Sequence, residues 1–173
     1  MSYLLTCSSF NYYMVSTYVK YMPGDIFSNQ IAMGLSEIVA VVTAGLLQQQ
    51  SGFKKSLTAM FILAALGSYS IHLIGAENQE WMPLLVTITK FGIAGAFKII
   101  YLSSTEVFPV LFVGTASGVC NTVARSLTIG APVLAEQDAP MPLIVFQALA
   151  LGGILATQFI RSQPKLINKV KTD

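Results

Sequence analysis

Charged side chains lie inside apolar stretches of this sequence, where water is not available to solvate them. They are Glu37, Lys90, Lys98 and Arg125. Arg125 lies near the centre of its apolar segment, and a central arginine costs about 2.5 to 3.5 kcal/mol on membrane-insertion scales. We therefore expect Arg125 to face a cavity or a partner rather than lipid, which favours a functional role for it.

Structural explanations stay open for the other three charges. Glu37 lies midway along the second apolar segment, while Lys90 and Lys98 lie in the outer and inner halves of the fourth. Glu37 and one lysine could neutralise each other as a buried pair. Lys98 could instead extend its ammonium group to the membrane surface.

Aromatic residues accompany two of these charges. Phe97 and Tyr101 are four residues apart and share a helix face, and Lys90, seven residues before Phe97, lies close to the same stripe. Tyr12 and Tyr13 add aromatic surface from the first segment. The pattern predicts a cationic site walled by aromatic rings, with ordinary helix packing as the alternative.

The composition indicates that these residues are carried by membrane helices. Of the residues, 54% are hydrophobic and only 10% are charged, whereas soluble domains carry about 25% charged residues. The charges crowd into short breaks between apolar stretches of about 20 residues, the length that a helix needs to cross a bilayer. A net charge of +2 without a basic face argues against nucleic acid as a partner.

Six transmembrane helices are predicted, followed by a basic tail. The helices cover residues 3–19, 28–47, 56–75, 82–105, 113–135 and 141–160, and the tail covers residues 162–173. Small residues at four-residue spacing, such as Gly114 and Gly118, predict close helix packing. The expected fold is thus an all-α integral membrane bundle of six helices.

The positive residues predict the orientation of this bundle. Placing the N-terminus in the cytoplasm puts Lys54, Lys55, Arg161 and the tail lysines inside and leaves only Lys20 among the outer loops. Both termini are then cytoplasmic, and the plasma membrane is the expected location. The chain shows no metal-binding cluster, nucleophile elbow or phosphate-binding glycine loop, so we expect neither an enzyme nor a cofactor or metal.

Two adjoining segments resemble a known transporter family. Residues 90–94 and 101–109 are similar to the tenth-helix signature of the organic cation, organic anion and carnitine transporters of the major facilitator superfamily. Residues 116–125 and 131–132 are similar to the eleventh helix of that family, and weaker similarity covers residues 11–13, 34–37 and 52–55. The resemblance implies that residues 1–161 form the C-terminal six-helix half of such a carrier, a 3+3 inverted repeat.

The resemblance also implies a function and a site. The family works by alternating access around a site near the bilayer midplane, which here would carry a small organic ion across the lipid bilayer. The position matched by Arg125 is Arg in anion- and carnitine-handling members and Asp in typical cation carriers, so a carboxylate-bearing substrate is expected. The positions matched by Phe97, Tyr101, Tyr12 and Tyr13 line the pocket of that family, and we place Lys90 with them as substrate-binding.

Departures from the family pattern favour a second interpretation. Val113 and Phe53 stand where the family has gate arginines, so Glu106 would lack its normal partner. We assign gating or helix-bracing roles to Glu106 and to Glu37, Lys54 and Lys55. The N-terminal six-helix half is missing from this sequence and would have to be supplied in cis or in trans. The alternative function is a non-transporting or regulatory half-transporter that acts through helix–helix association.

Overall fold

The described structure is helical throughout. The computed structural model describes residues 1–21, 25–74, 79–107, 111–137 and 141–159. The helices are α1 (Ser2–Tyr18), α2 (Ile26–Ser51), α3 (Phe53–Ile74), α4 (Met82–Val107), α5 (Val113–Thr128), α6 (Gly130–Ala135) and α7 (Met141–Phe159), with short 3-10 turns at Val19–Tyr21 and Gln79–Trp81. The predicted basic tail, residues 162–173, lies outside the described residues.

Four of the described helices are long and apolar enough to cross a membrane. The qualifying segments are Ile26–Ser51, Phe53–Leu73, Met82–Ser104 and Met141–Phe159. Helix α1 has 17 residues and α5 has 16, which is short of the about 20 residues that a span needs. The helical class is therefore confirmed, while the six-span 3+3 arrangement stays a prediction.

The fifth predicted helix is interrupted at one residue. Residues 113–135 were expected to form one helix, and the structure has α5 to Thr128 and α6 from Gly130, with Ile129 between them in helical conformation (φ −55°, ψ −32°). Pro132 explains the break, because proline has no N–H to donate to the carbonyl four residues earlier and its ring clashes with that carbonyl. That carbonyl belongs to Thr128, so the break falls one turn before the proline.

The junction between α2 and α3 is narrower than the sequence predicts. Helix α2 continues to Ser51 and α3 begins at Phe53, so a single residue, Gly52, separates them. Gly52 has φ of +79°, a conformation that glycine adopts without steric cost. The polar residues around it extend the two helices rather than forming a separate loop.

The start of α2 is fixed by a side-chain cap. The carboxylate of Asp25 accepts hydrogen bonds from the Ser28 hydroxyl at 2.8 Å and from the Ser28 amide at 3.0 Å. These bonds hold the pKa of the Asp25 carboxyl below its ordinary value. Because an N-cap satisfies an otherwise unpaired amide, α2 begins two residues before its predicted start at residue 28.

Helix α4 is the centre of the bundle and contacts α1, α2 and α3. Its glycines allow very close approach to α3. A Cβ placed on Gly92 would lie 2.5 Å from the Ala64 nitrogen and 2.8 Å from the Met60 carbonyl oxygen. By contrast, a Cβ on Gly114 or Gly118 would meet nothing within 4 Å in the described structure, so the small-residue packing predicted for that pair is not made there.

We expect Gly92→Ala to destabilise the protein, because the atoms that an added methyl group would meet belong to the α3 backbone and cannot rotate away. Overpacking of this kind costs about 1–3 kcal/mol. The melting temperature of the purified protein in detergent measures the effect. Gly34→Ala is the matched control, since its Cβ would meet nothing within 4 Å. An equal melting temperature for Gly92→Ala and the control would contradict the close α3–α4 approach.

Candidate functional site

The four predicted aromatic residues lie together where α1 faces α4. The Tyr12 and Phe97 rings stack with their centroids 5.5 Å apart, and Phe97 meets Tyr101 edge-on at 4.9 Å. Tyr12 also meets Tyr13 edge-on at 5.3 Å. Each pair lies within the centroid range of favourable aromatic contacts, about 4.5–7 Å. The rings therefore form one continuous cluster across two helices.

Lys90 is covered by this cluster. Its side chain is only 2% exposed, and its Nζ lies 3.3 Å from the centroid of the Tyr12 ring. The ammonium group also donates a hydrogen bond of 2.6 Å to the Ser16 hydroxyl. Cation–π attraction and this hydrogen bond together compensate part of the cost of burying the charge. In this conformation Lys90 is not open to a ligand.

Glu37 brings α2 to the same cluster. The Tyr12 hydroxyl donates a hydrogen bond of 2.7 Å to Glu37 Oε1, and Glu37 and Lys90 attract each other electrostatically. Tyr12 thus has an ammonium group at its ring face and a carboxylate at its hydroxyl. Glu37 and Lys90 are thus connected through Tyr12, and direct neutralisation of one charge by the other stays a prediction.

Arg125 lies beside Tyr13 and is exposed. It donates a hydrogen bond to the Tyr13 hydroxyl, and its guanidinium carbon lies 5.2 Å from the Tyr13 ring centroid. Tyr101 also interacts with it electrostatically. Because a guanidinium group has about five N–H donors, these two tyrosines leave donors for an anion.

An open groove runs beside Arg125. Its volume is about 610 Å³, which falls in the range of about 300–1,000 Å³ typical of small-molecule sites. Its lining includes Tyr13, Asn121, Thr122, Arg125, Ser126 and Pro132. The groove therefore combines one cation with hydroxyl and amide groups, a set that suits a carboxylate.

The exposed faces of α2 and α5 differ in chemistry. The large exposed side chains of α2 are aliphatic along most of its length: Ile31, Leu35, Ile38, Val42 and Leu46. Helix α5 instead exposes polar groups beside apolar ones: Thr115, Thr122, Arg125 and Ser126. Lipid solvates the first kind of face and not the second. The α5 face therefore suits water or another protein surface.

Lys54 and Lys55, two of the predicted bracing residues, do not line the groove beside Arg125. Lys54 donates a hydrogen bond of 3.2 Å from its Nζ to the backbone carbonyl of Gln158, where α7 ends. A cation at a helix C-terminus is favourable, so Lys54 ties the start of α3 to the end of α7. Lys55 is exposed. The side chain of Glu106 lies outside the described residues.

Two polar residues at this site were missed at the sequence level. Asn121 accepts a hydrogen bond from the Tyr101 hydroxyl, and Ser16 accepts the bond from Lys90. The available signal was the helical spacing: Asn121 is four residues before Arg125 and Ser16 four residues after Tyr12, so each shares a face with a predicted residue. Neither residue is charged, so a search for charges inside apolar segments does not find them.

Comparison with known proteins supports the resemblance noted in the sequence. No family model matches the chain. The chain is 28% identical to organic cation/carnitine transporter 2 of Rattus norvegicus over 154 residues, covering 87% of this chain and 28% of the relative. It is 28% identical to solute carrier family 22 member 13 of Homo sapiens over 153 residues, covering 86% of this chain and 28% of the relative.

A third relative extends the match. Solute carrier family 22 member 4 of Mus musculus is 29% identical over 172 residues, covering 94% of this chain and 30% of the relative. The chain thus spans less than a third of the length of these three transporters. The predicted resemblance to organic cation, anion and carnitine transporters is confirmed, because the curated relatives of this membrane protein are transporters of that kind.

Proposed function

We propose that this chain forms one side of a transport site for small organic ions that carry a carboxylate. The observation that carries the proposal is the environment of Arg125. Its guanidinium group lies beside an open groove, and its hydrogen-bond partner among the described residues is a tyrosine hydroxyl rather than a carboxylate. A guanidinium without an acidic partner can bind an incoming carboxylate through two parallel hydrogen bonds.

The aromatic cluster is proposed to hold the rest of the substrate. Phe97 and Tyr101 are half-buried and continue from the Tyr13 side of the groove towards the bundle centre. Ring faces and edges there would pack against an apolar body or a quaternary ammonium group. Direct contact between Lys90 and the substrate stays a prediction, because Tyr12 and Ser16 cover the ammonium group in this conformation.

We further propose that a second six-helix half completes the site. The chain spans only part of its relatives, and the polar face of α5 is the surface that such a half would cover. The two halves would alternate access by rocking around the groove. Both termini of this chain would then be cytoplasmic and the plasma membrane would be its location.

The second candidate function is a regulatory half-transporter that moves no solute. Two departures from the family pattern favour it. Val113 and Phe53 occupy positions where the family that this chain resembles carries gate arginines. Phe53 is only 9% exposed and packs in the hydrophobic core, so it cannot supply a charged latch at the membrane surface. Such a protein would keep the helix-packing surfaces and lose the transport cycle.

Uptake measurements separate the two candidates. We expect cells that express the complete coding sequence, including any helices encoded upstream of Met1, to take up a carboxylate such as benzoate in a saturable manner. Carnitine and the cation tetraethylammonium complete the panel. Cells expressing residues 1–173 alone serve as the comparison. If neither the complete protein nor residues 1–173 alone takes up any of the three compounds, and both reach the membrane normally, the regulatory candidate is favoured. Uptake of tetraethylammonium alone would contradict the carboxylate assignment.

A further inference from the structure

Two cavities of very different size meet at Asn121. The open groove of about 610 Å³ lies on one side. Beside it lies a smaller, partly open space of about 20 Å³ between α1, α4 and α5, here called the inner cavity, lined by residues that include Leu5, Ile100, Ser104 and Cys120. A volume of that size holds about one water molecule. The two spaces are separate in this conformation and share Asn121 as a lining residue.

The Tyr101–Asn121 hydrogen bond stands between these cavities. The Tyr101 hydroxyl, on α4, donates to Asn121 Oδ1, on α5. Tyr101 lines the inner cavity, while Asn121 lines both cavities. Asn121 is itself held by a bond of 3.0 Å from its Nδ2 to the Ser117 carbonyl. Among the described residues α4 and α5 make few other contacts, so this bond is the main link between the two helices there.

We propose that Asn121 is a positioning residue for transport, whose hydrogen bond to Tyr101 closes the passage from the groove to the inner cavity. When the bond breaks, α4 and α5 can separate and the two spaces join. The inference rests on the proposed transport function for its biological meaning, but the barrier itself is a property of the two side chains and can be measured without transport.

The strength of the bond suits a gate that a substrate can open. A neutral hydrogen bond contributes about 0.5–1.5 kcal/mol net, so little energy is needed to break it. A carboxylate bound at Arg125 would lie near the Tyr101 hydroxyl, because Asn121, which accepts the hydrogen bond from that hydroxyl, lines the same groove as Arg125. Hydrogen bonds to an ionised acceptor are about twice as strong as neutral ones. A bound carboxylate can therefore take the Tyr101 hydroxyl from Asn121 and release α5.

Cys120 provides a direct reporter of this passage. It lines the inner cavity and is half-buried, whereas the other cysteine, Cys7, is only 1% exposed. In the full-length protein carrying Cys7→Ser, a small water-soluble thiosulfonate reagent should modify Cys120 slowly. We expect Tyr101→Phe to raise the modification rate about fivefold, the change that corresponds to loss of about 1 kcal/mol. Benzoate should raise the rate with Tyr101 present and leave it unchanged with Phe.

Matched variants make the result decisive. Asn121→Ala removes the acceptor from the other helix and should raise the Cys120 rate as Tyr101→Phe does, so one poorly folded variant does not end the test. Ser104→Ala is the control, because Ser104 lines the same cavity but donates to the backbone carbonyl of Tyr101 at 2.6 Å. It should leave the rate unchanged.

A groove-side thiol calibrates the rates. Thr122→Cys, with both native cysteines replaced by serine, places a thiol in the open groove, which Thr122 lines; it should react quickly whatever stands at position 101. The proposal is overturned if Cys120 already reacts as fast as this thiol, or if neither Tyr101→Phe nor Asn121→Ala changes its rate. A faster rate in both variants without any carboxylate uptake would support the barrier and refute only the transport function.

Discussion

Arg125→Asp is expected to abolish uptake of benzoate and to permit uptake of tetraethylammonium. The substitution removes a guanidinium group beside the groove and introduces a carboxylate that repels the anionic substrate. A hydrogen bond to a charged group contributes about 1.5–3 kcal/mol, which corresponds to about a 10- to 100-fold loss for each bond. Initial uptake rates for both probes in the complete carrier measure the change.

Two milder substitutions at this site show whether charge or shape matters. Arg125→Lys keeps the charge but loses the planar pair of donors, so benzoate uptake should fall without any gain of cation uptake. Tyr13→Phe removes the hydroxyl that accepts from Arg125 but keeps the ring beneath it, and should have a smaller effect. Unchanged benzoate uptake by Arg125→Ala, at equal surface expression, would remove Arg125 from the substrate site.

Local sequence patterns were sufficient to predict much of the helical framework. Hydropathy located the apolar segments, and spacing placed Phe97 and Tyr101 on one helix face. The break at residue 129 was missed, although Pro132 is visible in the sequence, because the hydrophobic run continues through it. Hydropathy measures the solvent that a segment prefers, whereas the break depends on one missing backbone N–H.

The contacts between helices could not be predicted from spacing. Glu37 bonds to Tyr12, and Lys90 lies over the ring of the same tyrosine, but these contacts depend on how α1, α2 and α4 are rotated about their own axes. A single sequence gives the stripe of each helix and not the partner that the stripe faces. The same limit applies to Asn121, whose importance depends on its position between two cavities.

The second large effect concerns the charges around Tyr12. We expect Glu37→Leu to lower the melting temperature of the purified protein strongly, because it leaves the ammonium group of Lys90, which is 2% exposed, without its acidic neighbour. The two side chains are not in direct contact, so the cost should stay below the about 3–5 kcal/mol that is lost when one partner of a buried ion pair is removed. Glu37 is half-buried and Tyr12 stands between the two charges, so a loss of about 1–3 kcal/mol, the cost of leaving a buried polar group without a partner, is expected.

The double variant distinguishes bracing from substrate binding. Lys90→Met removes the buried charge while keeping most of the side-chain volume, so combining it with Glu37→Leu should restore most of the lost stability; apolar replacement of both members of a buried pair is often neutral or stabilising. If Glu37→Leu lowers the melting temperature equally whether Lys or Met stands at position 90, the two charges are not coupled.

Benzoate uptake then decides the role of Lys90. If a stable double variant still transports benzoate, Lys90 serves in the native protein only to hold Tyr12 in place. If a stable double variant has lost uptake, the ammonium group of the native protein is needed by the substrate at another stage of the cycle.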